Sequence, residues 1–181
     1  PVGRGENFKS EYDHAVEVVL DMFKATGIEY HEVATKNFNS RWVDVFPKKG
    51  KRSGAYSASA QTGNPFMLLN YNKTYNDIST IAHELGHSMH SYFSEKSQPY
   101  FKQDYVIFVA EVASTVNEVL LANRLMRETK DISIRKFIAE NLLAEFSASV
   151  FRQTMFSEFE YFAHDQINKG NPISFEELNE Y

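Results

Sequence analysis

A mainly α-helical domain, with a small β-sheet just ahead of its central helix, is the fold the sequence predicts, on three observations. Four stretches carry apolar residues at three- and four-residue steps with no proline inside them. Three short runs between Arg41 and Tyr71 are alternating, β-branched or small, and are separated by turn residues. Finally, Ser174-Phe175-Glu176-Glu177 is a capping-box signature that opens a further helix. With 181 residues and a hydrophobic fraction of 43%, the chain can bury one sizeable core, and one domain is the expected count.

In order, Tyr12 to Lys24 spaces Ala15, Val16, Val19, Leu20 and Phe23 as one helical face, and Gly27 is a plausible stop. A short mixed segment with no assigned element follows. Arg41 to Phe46 reads as a strand, Pro47-Lys48-Lys49-Gly50 as a turn, Ser53 to Ser59 as an extended segment and Phe66 to Tyr71 as a third strand. Helices are expected at Asp77–Ser94, Tyr105–Thr129 and Ser133–Asn168. Asn76 and Asp77 are the polar candidates to cap the first of these. No internal repeat, low-complexity tract or interdomain linker is evident.

The helix over 77–94 holds the run His83-Glu84-Leu85-Gly86-His87. Two histidines four residues apart on a helix lie about 40° apart around its axis and can grip one metal ion. Glu84 then sits beside the metal, where its useful role is to take a proton from the attacking water. This is the chemistry of a zinc hydrolase. A chance match of so short a pattern on a solvated helix is the competing reading. Zinc in such a site takes three protein ligands and a water, so a third His, Glu or Asp is required. Glu111 is the candidate, because it interrupts the apolar run Phe108-Val109-Ala110-Glu111-Val112-Ala113 and would be buried at a cost unless bound or paired. Its alternative is a salt bridge to an arginine within the fold.

These residues resemble the oligoendopeptidase F and thimet oligopeptidase family of zinc metallopeptidases. The likeness covers most of the chain. It is carried by Ala82 to His90, Gly50-Lys51-Arg52-Ser53-Gly54-Ala55-Tyr56, Pro65 to Tyr71, Ala110-Glu111-Val112-Ala113-Ser114-Thr115-Val116-Asn117-Glu118, Phe151 to Phe156, and Glu158-Phe159-Glu160, and it is closer to the oligoendopeptidase F branch. The resemblance implies one zinc ion per chain on His83, His87 and Glu111, with Glu84 as general base, in a zinc endopeptidase that hydrolyses short peptides. It also implies that residues 1–181 are one catalytic domain cut from a longer protein at both ends, with the histidine and tyrosine donors to the oxyanion outside this segment. A second expectation, from a different class, is a folded metal-binding fragment without significant peptidase activity. A zinc hydrolase acting on a non-peptide bond is a third.

Other residues keep two readings. His90, about 20° around the helix from His83, either hydrogen-bonds in the site or touches substrate, or it packs. Glu118, on the face of Glu111, either orients a ligand histidine or forms a salt bridge. Gly54 and Ala55 either let a substrate strand approach the sheet edge or face a packed neighbour. Tyr56 and Tyr71 either donate to substrate carbonyls or belong to the core or rim. A net charge of −5 with dispersed basic residues argues against nucleic acid, and Lys48-Lys49-Gly50-Lys51-Arg52 reads as a solvated turn in preference to a phosphate site. No apolar run approaches the ~20 residues of a membrane span. The absence of cysteine excludes disulfides and thiolate ligands in this segment and is compatible with a cytoplasmic location. Self-association through apolar faces of the cut chain is expected.

Overall fold

A computed structural model describes residues 8–59 and 64–181. The chain divides into two compact units, Pro1–Ile138 and Ala139–Tyr181. In the first unit, α1 (Tyr12–Met22) runs into a single 3₁₀ turn, Phe23–Ala25. Its inward face is Ala15, Val19 and Met22, followed by the fully buried Phe23.

Gly27 ends that segment and at once opens α2 (Ile28–Asn39) as its N-cap, with φ at +113°. No helix was expected there. The inward stripe of α2 is Tyr30, Val33, Ala34, Asn37 and Phe38, and the fully buried Asn37 in the middle of it blunts the apolar signal. Asn37 spends its side-chain N–H on the Pro65 carbonyl at 3.4 Å.

Three short strands, β1 (Val43–Asp44), β2 (Tyr56–Ser59) and β3 (Pro65–Leu68), form one sheet in the order β1-β3-β2. β1 is parallel to β3, pairing Val43 with Met67, and β2 is antiparallel to it, pairing Tyr56 with Leu68. The expected turn lies at Lys48–Gly50, with Gly50 at φ +83°. Lys51 closes it by donating to the Asp44 and Phe46 carbonyls, both at 2.9 Å, and Lys48 pairs with Asp44 at 3.3 Å. Two of the basic residues of this run are thereby committed to the turn itself.

The long helix α3 (Tyr75–Ser97) begins in a capping box. Thr74 is the N-cap, and Asp77, three residues on, accepts the Thr74 N–H at 2.8 Å. This corrects the expected caps: Asp77 takes part from the N3 position, and Asn76 is inside the helix. Ile78, Ile81, Ala82, Leu85 and Met89 form the buried face, each at most 2% exposed. The next helix, α4 (Ile107–Glu128), turns Ala110, Ser114, Asn117 and Leu121 inward. α5 (Ile132–Ser147) carries the chain into the second unit. There a π-helical turn at Ala148–Arg152 precedes α6 (Gln153–Asn168), so the single helix expected from Ser133 to Asn168 is interrupted once. The expected Ser174 capping box opens α7 (Phe175–Glu180), and Phe162 stacks on Tyr181 at 4.3 Å. The architecture is mainly α with a small sheet preceding the central helix, as the sequence predicts.

Tyr71, one of the two tyrosines with an open role, belongs to the core. Its hydroxyl donates to the Ser10 carbonyl at 2.9 Å and its ring meets Tyr12 edge-on at 5.5 Å. Burial pushes its phenol up to about 12, and Tyr12 is raised as well, by burial and the charge of Asp13. Between the ordinary value near 10 and the folded value, the unfolded chain has released a proton that the native chain retains, so stability falls as pH rises. Urea unfolding from pH 9 to 12 is expected to show this fall, and Tyr71→Phe to be flatter over the same range. An unchanged slope for the variant would contradict the assignment.

Candidate metal centre

His83 and His87 lie one turn apart in the middle of α3, on the side that meets α4. Their Nε2 atoms are 3.2 Å apart. Glu111, in the first turns of α4, places Oε2 at 3.6 Å from the His83 Nε2 and 3.7 Å from the His87 Nε2. Among the described residues this is the one group of three or more His, Asp or Glu side chains able to hold a metal ion. Bonds of about 2.0–2.2 Å in a tetrahedral zinc site separate neighbouring N and O donors by roughly 3.3–3.5 Å. The three edges therefore fit one face of such a site, and the donor set suits zinc.

Gly86 makes the approach of the two helices possible. A Cβ there would sit 2.8 Å from the Ala113 carbonyl oxygen, 2.8 Å from the Ser114 Cα and 2.9 Å from the Asn117 side-chain nitrogen. Asn117, 4% exposed, also ties the helices by donating to the Ala82 carbonyl at 3.2 Å and reaching the Tyr30 hydroxyl at 3.3 Å. Neither role was drawn from the sequence. The signal for Asn117 was its place in the α4 stripe with Ala110, Ser114 and Leu121.

Glu111 is not sunk in the core as its apolar neighbours suggested. Its side chain is 44% exposed, as are many of those neighbours, with Val112 at 53% and Phe108 at 80%. In place of an arginine, its carboxylate meets the two imidazoles and the Ser114 hydroxyl, 2.8 Å from Oε2. Glu118, two turns on, faces His83 from the other side, with Oε1 at 3.4 Å from Nδ1, and Ser79 donates to the same oxygen at 3.4 Å. A proton on Nδ1 leaves the His83 Nε2 lone pair directed at the triangle.

Glu84, 7% exposed, is the buried carboxylate of the site. Its Oε2 has no hydrogen-bond partner, while the Ser57 main-chain N–H reaches the carboxylate. Burial raises its pKa, with the charges of Glu111 and Glu118 adding to the effect and His83 and Ser57 opposing it. The two histidines diverge. Burial opposes the charged His83 ring, yet the hydrogen bond and charge of Glu118, with Glu84 and Glu111, outweigh it and raise its pKa; burial and the neighbouring His83 lower that of His87.

β2 lines the site from the sheet. In the ladder, Met67 and Leu69 direct their N–H groups to β1, so Phe66 and Leu68 face β2, and Ser57 on β2 points its backbone away from the sheet. That outward N–H is the one Glu84 receives, and the Ser57 hydroxyl meets Ser88 of α3 at 2.8 Å. Tyr56 is a rim residue, 45% exposed. Gly54 is required for its φ of +81° and has open space where a Cβ would be, while Ala55 packs against the core. Both line a cavity of about 290 Å³ with Asn70, Asp77 and Thr80. His90 lies outside the triangle, its ring stacked on Tyr105 at 3.7 Å, and burial lowers its pKa.

The family model for peptidase family M3 matches residues 7–181. The chain belongs to peptidase family M3. It is 42% identical over 174 residues to oligopeptidase PepF of Bacillus subtilis, covering 96% of this chain and 26% of that protein. It is equally 42% identical to an oligoendopeptidase F homolog of Borreliella burgdorferi, covering 99% of this chain and 31% of the relative. The fold matches a crystal structure from Chlamydophila abortus, of a protein assigned as a peptidase, with a TM-score of 0.79 at 39% identity over 93% of this chain and 29% of that one. The expected likeness to the oligoendopeptidase F branch holds, and the chain spans about a quarter to a third of the length of these relatives. Among the described residues of this M3 chain no helix is long and apolar enough to cross a membrane.

Gly86→Ala tests the helix crossing. Overpacking against α4 backbone costs about 1–3 kcal/mol, partly offset by the roughly 1 kcal/mol by which alanine favours a helix interior over glycine. Lower stability in urea, together with a wider separation of Glu111 from the two histidines because Glu111 rides on α4, is the expected result, read by unfolding and by a crystal structure of the variant. Unchanged values for both would show that the crossing has slack.

Proposed function

We propose that this chain carries the metal centre and general base of a zinc endopeptidase of family M3 that acts on short peptides, within one catalytic domain that includes residues 1–181. The observation that carries the reading is the triangle of His83 Nε2, His87 Nε2 and Glu111 Oε2, with edges of 3.2, 3.6 and 3.7 Å, beside a buried glutamate. His83, His87 and Glu111 hold one zinc ion. When bound, zinc supplies Lewis acidity toward the scissile carbonyl and the attacking water. Glu84 accepts the proton of that water and delivers it to the leaving amine nitrogen, so no covalent enzyme intermediate is needed. Glu118 keeps the His83 ring in place through Nδ1.

The outward-facing edge of β2 favours a peptide substrate over other hydrolysable bonds. An extended peptide added to a sheet edge is held through its main chain, without regard to side chains. On that edge the Ser57 N–H is given to Glu84, which leaves its outward carbonyl oxygen as the acceptor for a substrate main-chain N–H. The length of the curated relatives favours one alternative, that these residues bind metal yet turn peptides over slowly without the rest of the parent protein. The exposed Val112, Val116 and Phe108 of α4 support self-association of the chain on its own.

Metal analysis is expected to give one zinc per chain, lost in a His83→Ala/His87→Ala double variant. Glu84→Gln should retain the zinc and lower cleavage of quenched peptides by about 10²–10⁴-fold, whereas Glu111→Ala should lose metal affinity. Loss of zinc from Glu84→Gln and retention by Glu111→Ala would reverse the two roles. Turnover per bound zinc, set beside that of a full-length relative, separates the slow metal-binding reading from the active one.

A further inference from the structure

A glutamate side chain 44% exposed on a helix surface samples several rotamers unless something holds its carboxylate. Ser114 is fully buried, and its hydroxyl lies 2.8 Å from Glu111 Oε2, the oxygen that faces both imidazoles. We infer that Ser114 is a positioning residue for the metal site and that Thr115 sets the direction in which the Ser114 hydroxyl donates. The inference rests on the metal reading above and adds to it how the third ligand is held.

Ser114 has one proton and two acceptors within reach, Glu111 Oε2 at 2.8 Å and the Glu111 main-chain oxygen at 3.1 Å. The second would be the ordinary backward bond of a helical serine. A carbonyl oxygen has two lone pairs. Within α4 one of them takes the Thr115 main-chain N–H of the helical ladder. The other takes the Thr115 hydroxyl, at 2.5 Å. With the carbonyl saturated, the Ser114 proton is left for the carboxylate, where the hydrogen bond is charge-assisted and stronger. Hydrogen bonds of this kind to a ligating carboxylate fix its orientation, and their loss typically weakens metal binding by about 10–100-fold.

The test is zinc affinity of the 181-residue chain, by competition with a chromophoric chelator, for the wild type, Ser114→Ala, Thr115→Ala and the double variant, with cobalt(II) absorption spectra as a second readout. Ser114→Ala is expected to weaken zinc about 10–100-fold and to alter the cobalt spectrum, while the metal-free melting temperature stays near that of the wild type. Thr115→Ala, which removes no group from the triangle, is expected to weaken zinc by a smaller factor. The double variant should be no worse than Ser114→Ala, because Thr115 acts only through Ser114. Wild-type affinity in Ser114→Ala, or losses that add in full, would overturn the inference. Should Ser114→Ala not fold, Thr115→Ala decides alone, and unchanged affinity there counts against it. A wild-type chain that takes up no zinc overturns the metal reading itself, a failure visible before any variant is compared.

Discussion

The close crossing of α3 and α4 at Gly86 is the constraint on which the candidate site depends. A side chain at this point would press on the backbone of Ala113 and Ser114, so the missing Cβ sets how near the helices come. His83 precedes the crossing by one turn and His87 follows it directly, while Glu111 and Ser114 flank it on the facing helix. The inward stripe of α4 begins with small or polar residues, Ala110, Ser114 and Asn117, before Leu121. That composition allows approach, and Asn117 converts the approach into hydrogen bonds across it.

Proximity then creates an electrostatic problem. Glu84, Glu111 and Glu118 converge on His83, and the carboxylate among them with the least solvent, Glu84, leaves one oxygen without a partner. In a medium of reduced dielectric such a cluster is costly unless positive charge is nearby. A protonated His83 offsets part of it, and a dication on the triangle would offset more. The two adjacent imidazoles are consequently unlike: one is stabilised in its charged form by Glu118, and the other is pushed toward neutrality by burial and by its neighbour.

Much of this was legible in the sequence because helical periodicity is strict. The spacing of His83, Glu84 and His87 fixes which of them share a face, and the apolar positions Ile78, Ile81, Ala82, Leu85 and Met89 all fall in the buried stripe of α3, while Tyr92 is only partly buried. What failed were inferences that need the partner surface. Glu111 sits in an apolar run, and a run of that kind reads as buried, yet Val112 and Val116 are about half exposed because, among the described residues of the first unit, none covers that side of α4 fully. Helix α2 was missed because a buried Asn37 occupies a core position. Ser114, Asn117 and Gly86 carry no catalytic signature in their residue type, and their roles arise only where two helices distant in sequence meet. Thr74 caps α3 although the sequence points to Asn76 and Asp77, since side-chain type alone does not say where the first helical turn closes.

The position of the two histidines within α3 has a thermodynamic consequence. They stand near the middle of a 23-residue helix whose first turn is locked by a capping box and whose opposite face is packed into the core. Their Cα positions cannot shift relative to one another without unwinding a helix whose other face is packed into the core. An ion taken up at the triangle would therefore meet a backbone that the core already holds, unlike in small domains where metal binding and folding are one event, and would add to stability by mass action. The backbone is ordered once, when the chain folds, and only side-chain rotamers remain to be fixed around an ion. A frame with donor separations of 3.2, 3.6 and 3.7 Å would suit a small four-coordinate cation better than one such as calcium, which demands six to eight oxygens at longer distances.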